Sequence, residues 1–184
     1  MSTRPTLQTE RLLLRPFSLA DAARVRALAG DKGIASTTLN IPYPYEEGMA
    51  EAWIKTLPEA FEKGESLTFA IVLAQEEQLI GAIGLEIDTR HDRGELGYWI
   101  GKPYWSKGYV TEAARAVLEY GFTVRNLNRI FAFHFSRNPA SGKVMRKLKM
   151  THEASLRKHV KKWDKYEDLE LFGILKDEFI PSDE

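Results

Sequence analysis

Apolar residues recur along the chain with a period that switches repeatedly between 2 and 3.6, which predicts strands and helices mixed through one domain. A first strand is expected over Leu7 to Phe17, where Leu12 and Leu14 alternate with Arg11, Leu13 and Arg15 until Pro16 breaks the run. Ser18 suits the N-cap of a helix from Leu19 to about Ala29, its hydroxyl accepting a free backbone N–H, with Asp21 favouring the positive end of the dipole. Gly30 to Pro44 reads as a loop. Met49, Trp53, Leu57 and Phe61, spaced by four, give one face to a helix over Glu46 to Glu62.

Strands are then expected at Leu67 to Leu73, Leu79 to Ile87 and Glu95 to Ile100. Thr111 to Val124 carries the clearest helical stripe, with Ala113, Ala114, Val117, Leu118, Gly121 and Phe122 on one side. Arg129 to Phe135 is another strand, and Pro139 to Lys149 a short helix after Asn138, a good N-cap residue. Thr151 to Val160 and Asp168 to Leu175 complete the series as strands. The order, roughly β-α-α-β-β-β-α-β-α-β-β, describes an α/β domain of the α+β type with a mixed sheet.

Composition narrows the function classes. The 184 residues suit one domain, residues 1–184, with 43% hydrophobic and 28% charged positions. Twenty-six basic residues balance 26 acidic ones, so no global charge points to nucleic acid or a membrane surface. The absence of cysteine excludes disulfides, thiolate metal sites and a cysteine nucleophile. No run approaches the roughly 18 apolar residues a membrane helix needs, and the N-terminus lacks a signal-like apolar core. The expectation is a cytoplasmic protein, monomer or homodimer, with no membrane or nucleic-acid partner.

The informative stretch reads Glu95-Leu-Gly-Tyr-Trp-Ile-Gly-Lys-Pro-Tyr-Trp-Ser-Lys-Gly-Tyr-Val-Thr-Glu-Ala-Ala: a strand, a turn with Lys107 and Gly108, and a helix start. The first N–H groups of a helix lack intrahelical partners and the dipole adds positive character, so this is an anion site. Gly108 lets the backbone approach a ligand, and pyrophosphate is the natural guest. A bare strand–helix connection has the same local pattern, and neither GxxxxGK[ST] nor GxGxxG is present.

Trp-Ser-Lys-Gly-Tyr-Val-Thr-Glu-Ala resembles the acetyl-CoA pyrophosphate loop of the GNAT superfamily of N-acetyltransferases, usually Q/R-x-x-G-x-G/A. Three further blocks resemble its RimJ/RimL branch of ribosomal-protein N-terminal acetyltransferases. They are Leu7-Gln-Thr-Glu-Arg-Leu-Leu-Leu-Arg-Pro-Phe, Arg137-Asn-Pro-Ala-Ser-Gly-Lys-Val-Met-Arg-Lys-Leu, and Asp168 to Glu178 with Gly173-Ile174-Leu175. The blocks lie in order and span nearly the whole chain. Trp105 stands where Gln or Arg is usual, Val110 where Gly or Ala is, and Lys149 where Gly often is; Val110 is expected to narrow the loop.

The resemblance implies a GNAT fold: a single mixed, mostly antiparallel sheet of about seven strands flanked by about four helices, with acyl-CoA at the splay between two central strands. It implies an acetyl-CoA-dependent N-acetyltransferase acting by direct attack of a primary amine, a protein N-terminus or a small molecule. A non-catalytic CoA-binding module is the alternative. It places the backbone of Tyr98, Trp99 and Ile100 along the pantetheine arm, and Ser106, Lys107, Gly108, Tyr109, Val110 and Thr111 around the pyrophosphate. Asn138 would hydrogen-bond the pantetheine, a role compatible with a plain helix cap.

Acetyl transfer requires amine deprotonation, donors for the developing oxyanion, and help for the leaving thiolate. Glu95, at the start of the central strand, is the first candidate base, directly or through water; otherwise it is a solvated strand-end carboxylate. His134 is the second, but parity sets it opposite Phe131, Phe133 and Phe135, so only one set faces the cleft. Some relatives place a tyrosine acid seven residues after the helix-start Asn; here that position is Met145. Ser141, used in RimL-like relatives, would donate to the thiolate or hydrogen-bond the sulfur. Backbone N–H near Ile100 is the expected oxyanion donor.

The basic run Arg157 to Trp163 reads as a solvated strand-loop end. Tyr43, Tyr45 and Trp53 are acceptor-wall or core residues. His91 and Asp92 lie in a polar turn without metal-ligand spacing, so no metal is expected.

Overall fold

The computed structural model describes residues 3–181. Its first strands are β1 (Leu7–Gln8), β2 (Leu12–Arg15), β3 (Ser66–Leu73) and β4 (Gln78–Asp88). They are followed by β5 (Arg93–Ile100), β6 (Arg129–Phe135), β7 (Thr151–Lys162) and β8 (Lys165–Leu175). One eight-stranded sheet holds them in the order 1-2-3-4-5-6-8-7. Between the strands lie α1 (Ala22–Ala29), α2 (Lys32–Thr37), α3 (Met49–Glu62), α4 (Tyr109–Thr123) and α5 (Pro139–Lys147). Every neighbouring pair is antiparallel except β5–β6. The mixed, mostly antiparallel sheet is as expected, with one strand and one helix more than the family pattern implied.

Both faces of the sheet are covered, for different reasons. The predicted stripe of α4 (Ala113, Ala114, Val117, Leu118, Gly121, Phe122) is buried in full against Phe69, Ile83, Leu85 and Leu96. Removing Val117, Leu118 and Phe122 from water stabilises this layer by about 1.5–3 kcal/mol each. On the other face, Val25, Leu28, Ile54 and Leu57 of α1 and α3 pack on Ala70, Val72 and Ala82. Strand parity carries this division into β5: Leu96, Tyr98 and Ile100 face α4, while Glu95, Gly97 and Trp99 face the α1/α3 side.

The feature that positions a site is the parallel junction. β5 and β6 are in register only at Arg93, Gly94 and Glu95 against Arg129, Ile130 and Phe131. Beyond Glu95 and Phe131, β5 stays paired with β4 to Ile100 and β6 with β8 to Phe135, so the two strands part. Helix α5 begins at Pro139, shortly after β6 ends, and α4 begins at Tyr109, after a turn over residues 101–108 that follows β5.

Several sequence expectations need correction. The first strand is a hairpin, broken at Thr9–Arg11, where the Thr9 N–H bonds the Leu12 carbonyl at 2.9 Å. Ser18 is an N-cap as expected, but of a single 3-10 turn (Leu19–Asp21) that precedes α1, and the Asp21 carboxylate accepts its backbone N–H at 2.8 Å and its hydroxyl at 3.2 Å. The expected loop after Gly30 contains α2, capped by Asp31, whose carboxylate accepts the Gly33 N–H at 2.6 Å. Lys149, in the place often held by Gly, takes a left-handed φ of 64° and closes α5, the Met150 N–H bonding the Met145 carbonyl at 3.1 Å. Among the described residues, no helix is long and apolar enough to cross a membrane.

Candidate active site

Glu95 is the last residue of β5 in register with β6, at the point where the strands separate. It shares a face with Phe131 beside it on β6 and Glu86 beside it on β4. Surrounding protein mass raises the Glu95 carboxyl above its ordinary 4.5. Glu86 is raised too, first by desolvation and then by the Glu95 charge. No Cβ stands over Gly97, the next residue on this face, and nothing lies within 4 Å of where one would be. The base candidate therefore opens onto an uncovered floor.

Backbone polarity along the rest of β5 follows from one bond. The Gly101 N–H donates to the Ile80 carbonyl on β4 at 2.8 Å, so alternation turns Trp99 toward β4 and Tyr98 and Ile100 toward the gap. The Tyr98 and Ile100 amides are therefore the donors aimed into the opening. Trp99 contributes to the ladder with β4, contrary to the expectation that its backbone lines the gap, and its side chain packs on the α1/α3 side.

The turn from β5 to α4 is shaped by two left-handed residues, Ser106 (φ 60°) and Gly108 (φ 83°). The first intrahelical bond is Glu112 N–H to Gly108 carbonyl at 3.1 Å, which leaves the Tyr109, Val110 and Thr111 amides outside the helical ladder. Val110 does not narrow this turn, because its side chain packs into the core below. Trp105 donates its indole N–H to the Ile100 carbonyl at 2.8 Å and folds the turn back on β5. The geometry fits a pyrophosphate: free amides, a glycine at the approach, and a helix dipole of the right sign.

A cation also belongs to this turn, and local sequence reasoning missed it. Glu112, in the first turn of α4, accepts from the Thr9 hydroxyl (2.7 Å), the Arg11 N–H (2.8 Å) and the Arg11 Nε (2.7 Å). So anchored, Arg11 lays its guanidinium over the Tyr109 ring at 4.6 Å and donates Nη1 to the Lys107 carbonyl at 3.1 Å. A peptide's C=O and N–H point opposite ways, so this bond turns the Gly108 N–H away from Arg11. Arg11 and Glu112 lie 101 residues apart, so no local pattern reveals the pair.

Helix α5 brings Asn138 and Ser141 to the other lip. Asn138 occupies the N-cap with Pro139 at the first helical position, yet its side chain makes no capping bond, which leaves the amide for a ligand. The Ser141 hydroxyl lies 2.6 Å from the Tyr98 hydroxyl, across the opening from β5 to α5. Met145, at the position of the tyrosine acid in some relatives, is core.

His134 is not placed to act as a base. It faces α5, on the opposite side of the sheet from Glu95, and only 8% of it is accessible. Its Nδ1 bonds the Phe135 carbonyl at 2.8 Å and its ring stacks on Phe172, while Nε2 is shut in against Gly142. Glu95's face of β6 carries Phe131 and Phe133, edge to face at 5.7 Å, and then the buried Phe135.

The remaining candidates divide. Trp53 packs edge-on against Phe17 at 4.9 Å and Tyr45 lies on the α1/α3 core, whereas Tyr43 is exposed beside Trp163. The basic run is not wholly solvated, because Lys162 is buried and donates to the Leu39 and Ile41 carbonyls at 2.9 and 2.8 Å. That bond pair ties the β7–β8 hairpin to the segment after α2.

Comparison with known proteins gives a consistent pattern. A family model described as an acetyltransferase (GNAT) domain matches residues 11–151. An uncharacterized N-acetyltransferase, p20 of Bacillus licheniformis, is 33% identical over 175 residues, covering 95% of this chain and 98% of that protein. The spermidine N(1)-acetyltransferase of Escherichia coli K12 is 26% identical over 144 residues, 78% of this chain and 74% of that protein. Among solved structures, a GNAT-family acetyltransferase from Bacillus anthracis superposes with a TM-score of 0.85 at 27% identity, covering 95% of this chain and all of that one.

Proposed function

Since the chain belongs to the GNAT acetyltransferase family, and so transfers the acetyl group of acetyl-CoA to an amine, we propose that its acceptor is the α-amine at a polypeptide N-terminus. The observation that carries this reading is Glu95, set where β5 and β6 part and facing a side of the sheet that α1 and α3 cover over β3, β4 and the Trp99 end of β5 but leave open at Gly97. Small-molecule sites bury most of their ligand in a concavity. Here the floor at Gly97 is open and Phe131, Phe133 and Leu171 are half-buried, which suits the end of a chain whose remainder stays in solvent.

In this reading the amides of Ser106 to Thr111 with Gly108 hold the pyrophosphate, and Arg11 fixes the turn that presents them. The Asn138 side chain and the Tyr98 and Ile100 backbone groups hold the pantetheine arm. The neutral amine attacks the thioester carbonyl carbon, a C–N bond forms, and Glu95 takes the ammonium proton directly or through water. The Tyr98 and Ile100 N–H groups face the developing oxyanion. The C–S bond then breaks with its electron pair on sulfur, next to the Ser141 hydroxyl. An α-amine with an ordinary pKa of about 8 is partly neutral at physiological pH, so a single raised carboxylate is base enough. Residues 1–184 act as one transferase domain.

A second reading has its own support. Glu86 beside Glu95 would attract a polycation, and a relative of 26% identity is named for spermidine. An acceptor screen following thiol release separates the two, using peptides with free or blocked α-amines, lysine side chains and polyamines. Turnover of free-α-amine peptides only is the expected result; turnover of polyamines with no peptide turnover overturns it. On the active acceptor, Glu95→Gln lowers kcat/KM at neutral pH by about 10²-fold with acetyl-CoA affinity unchanged. An unchanged rate removes Glu95 as the base.

A further inference from the structure

We propose that Tyr98 is a positioning residue whose phenol holds the Ser141 hydroxyl with its proton directed at the thioester sulfur, so that the pair stabilises the departing thiolate as a hydrogen-bond donor and gives up no proton. The inference rests on the reading of Ser141 as the hydroxyl beside the leaving sulfur. Glu95 and this pair stand on opposite faces of β5, separating the side where the amine loses its proton from the side where sulfur leaves.

The direction of the pair follows from counting donors. A buried phenol places its one proton on an acceptor. Tyr98 has two within reach, the Ser141 Oγ at 2.6 Å and the Ser141 carbonyl at 3.4 Å. Either hydroxyl can donate across the 2.6 Å contact; the phenol's other acceptor is long, and we take the phenol as the donor to Oγ. Serines in helices often turn their proton back onto a carbonyl of the preceding turn. Among the described residues, the Ser141 hydroxyl has no partner except Tyr98. With Oγ already accepting, its proton is left for the gap.

Magnitudes decide between donating a hydrogen bond and transferring a proton. Burial, opposed in part by the Ser141 contact, pushes the Tyr98 phenol up to about 12. A thiol ionises near about 8.5, so passing the phenol proton through Ser141 to sulfur is uphill by more than three powers of ten. The phenol therefore stays protonated throughout, and its donation polarises the serine hydroxyl, strengthening the bond that hydroxyl makes to sulfur. CoA leaves as thiolate and takes its proton from water.

CoA alone is a sufficient probe, because the effect is on sulfur and needs no acceptor. Titrating CoA bound to the 184-residue chain, followed by thiolate ultraviolet absorbance, is expected to show the thiol ionising about one pH unit below free CoA, a tenfold change in its dissociation constant. Ser141→Ala and Tyr98→Phe each return it toward the free value, and the double variant shifts it no further, since both act through one hydroxyl. Replacing Tyr98 by 3-fluorotyrosine keeps the ring and its packing, sharpens the donor, and lowers the thiol pKa below that of the native protein.

If Ser141→Ala raises the thiol pKa while Tyr98→Phe and the fluorotyrosine leave it unchanged, the inference is overturned and the role of Ser141 stands. If neither serine nor tyrosine moves it, both readings fall. CoA affinity and Tm on the same samples identify a variant that has lost its fold. In that event the fluorotyrosine result decides.

Discussion

Arg11 shows how much of this site is held by single side chains acting on backbone. Its guanidinium is fixed by Glu112 and spends one N–H on the Lys107 carbonyl, which sets the orientation of the Gly108 amide. Arg11→Ala frees that peptide to rotate and removes a cation from the anion site. Acetyl-CoA binding is expected to weaken about tenfold, about 1.4 kcal/mol, at the upper end of what a typical hydrogen bond contributes. Arg11→Lys recovers part of this, because it restores charge without the guanidinium fork. Titration calorimetry reads both; equal affinities for Arg11→Ala and the native protein would exclude the role. At this scale the sequence was a partial guide. Parity correctly set His134 against the phenylalanines of β6, but only the sheet decided which set faced Glu95.

At the scale of the element, α5 depends on one close approach. A Cβ on Gly142 would stand 2.7 Å from His134 Nε2 and 3.2 Å from Cε1. His134 cannot retreat, being bonded to the Phe135 carbonyl and stacked on Phe172. Gly142→Ala therefore displaces α5 and destabilises the fold by about 1–3 kcal/mol, despite alanine's better helix propensity. Asn138 and Ser141 move with the helix, so CoA affinity falls as well. A variant with native Tm and native CoA affinity would contradict this account. Long periodic elements such as α4 were legible because a full stripe faces one layer. Short α2 was not, with only Ile34 and Ala35 buried and Asp31 as its one sequence signal.

For the whole molecule, distant segments are joined by carboxylates, and acid should undo them together. Glu170 is held down to about 2 by the Ser136 and Ser155 hydroxyls and then His152. Glu153 is lowered by Arg129; Glu112 and Asp21, although burial opposes it, are lowered by the Thr9–Arg11 turn and by Arg15 with Ser18. All four are depressed in the folded state, so their stabilisation is complete above their unfolded values near 4 and disappears as pH falls through the folded ones. The urea midpoint is expected to drop steeply between about pH 4.5 and pH 2. Glu170→Gln removes about 1 kcal/mol at neutral pH, solvent screening keeping it small, and flattens that decline. A pH profile identical to the native one would show that Glu170 is not among the groups responsible.

The sequence by itself determined the family, the alternation of strands and helices, and the glycine turn before α4, because each is written in residues close together in the chain. Period, capping and the freedom of Gly108 act over a few residues and need no partner from elsewhere. Tertiary structure alone decided which face of β6 meets Glu95, that Arg11 reaches the turn before α4, and that the Tyr98 and Ser141 hydroxyls meet across the gap. Each of those depends on strands far apart in the chain lying side by side in a fixed register. Where β5 and β6 cease to pair is a property of two strands and not of either one, and the site is built around that point.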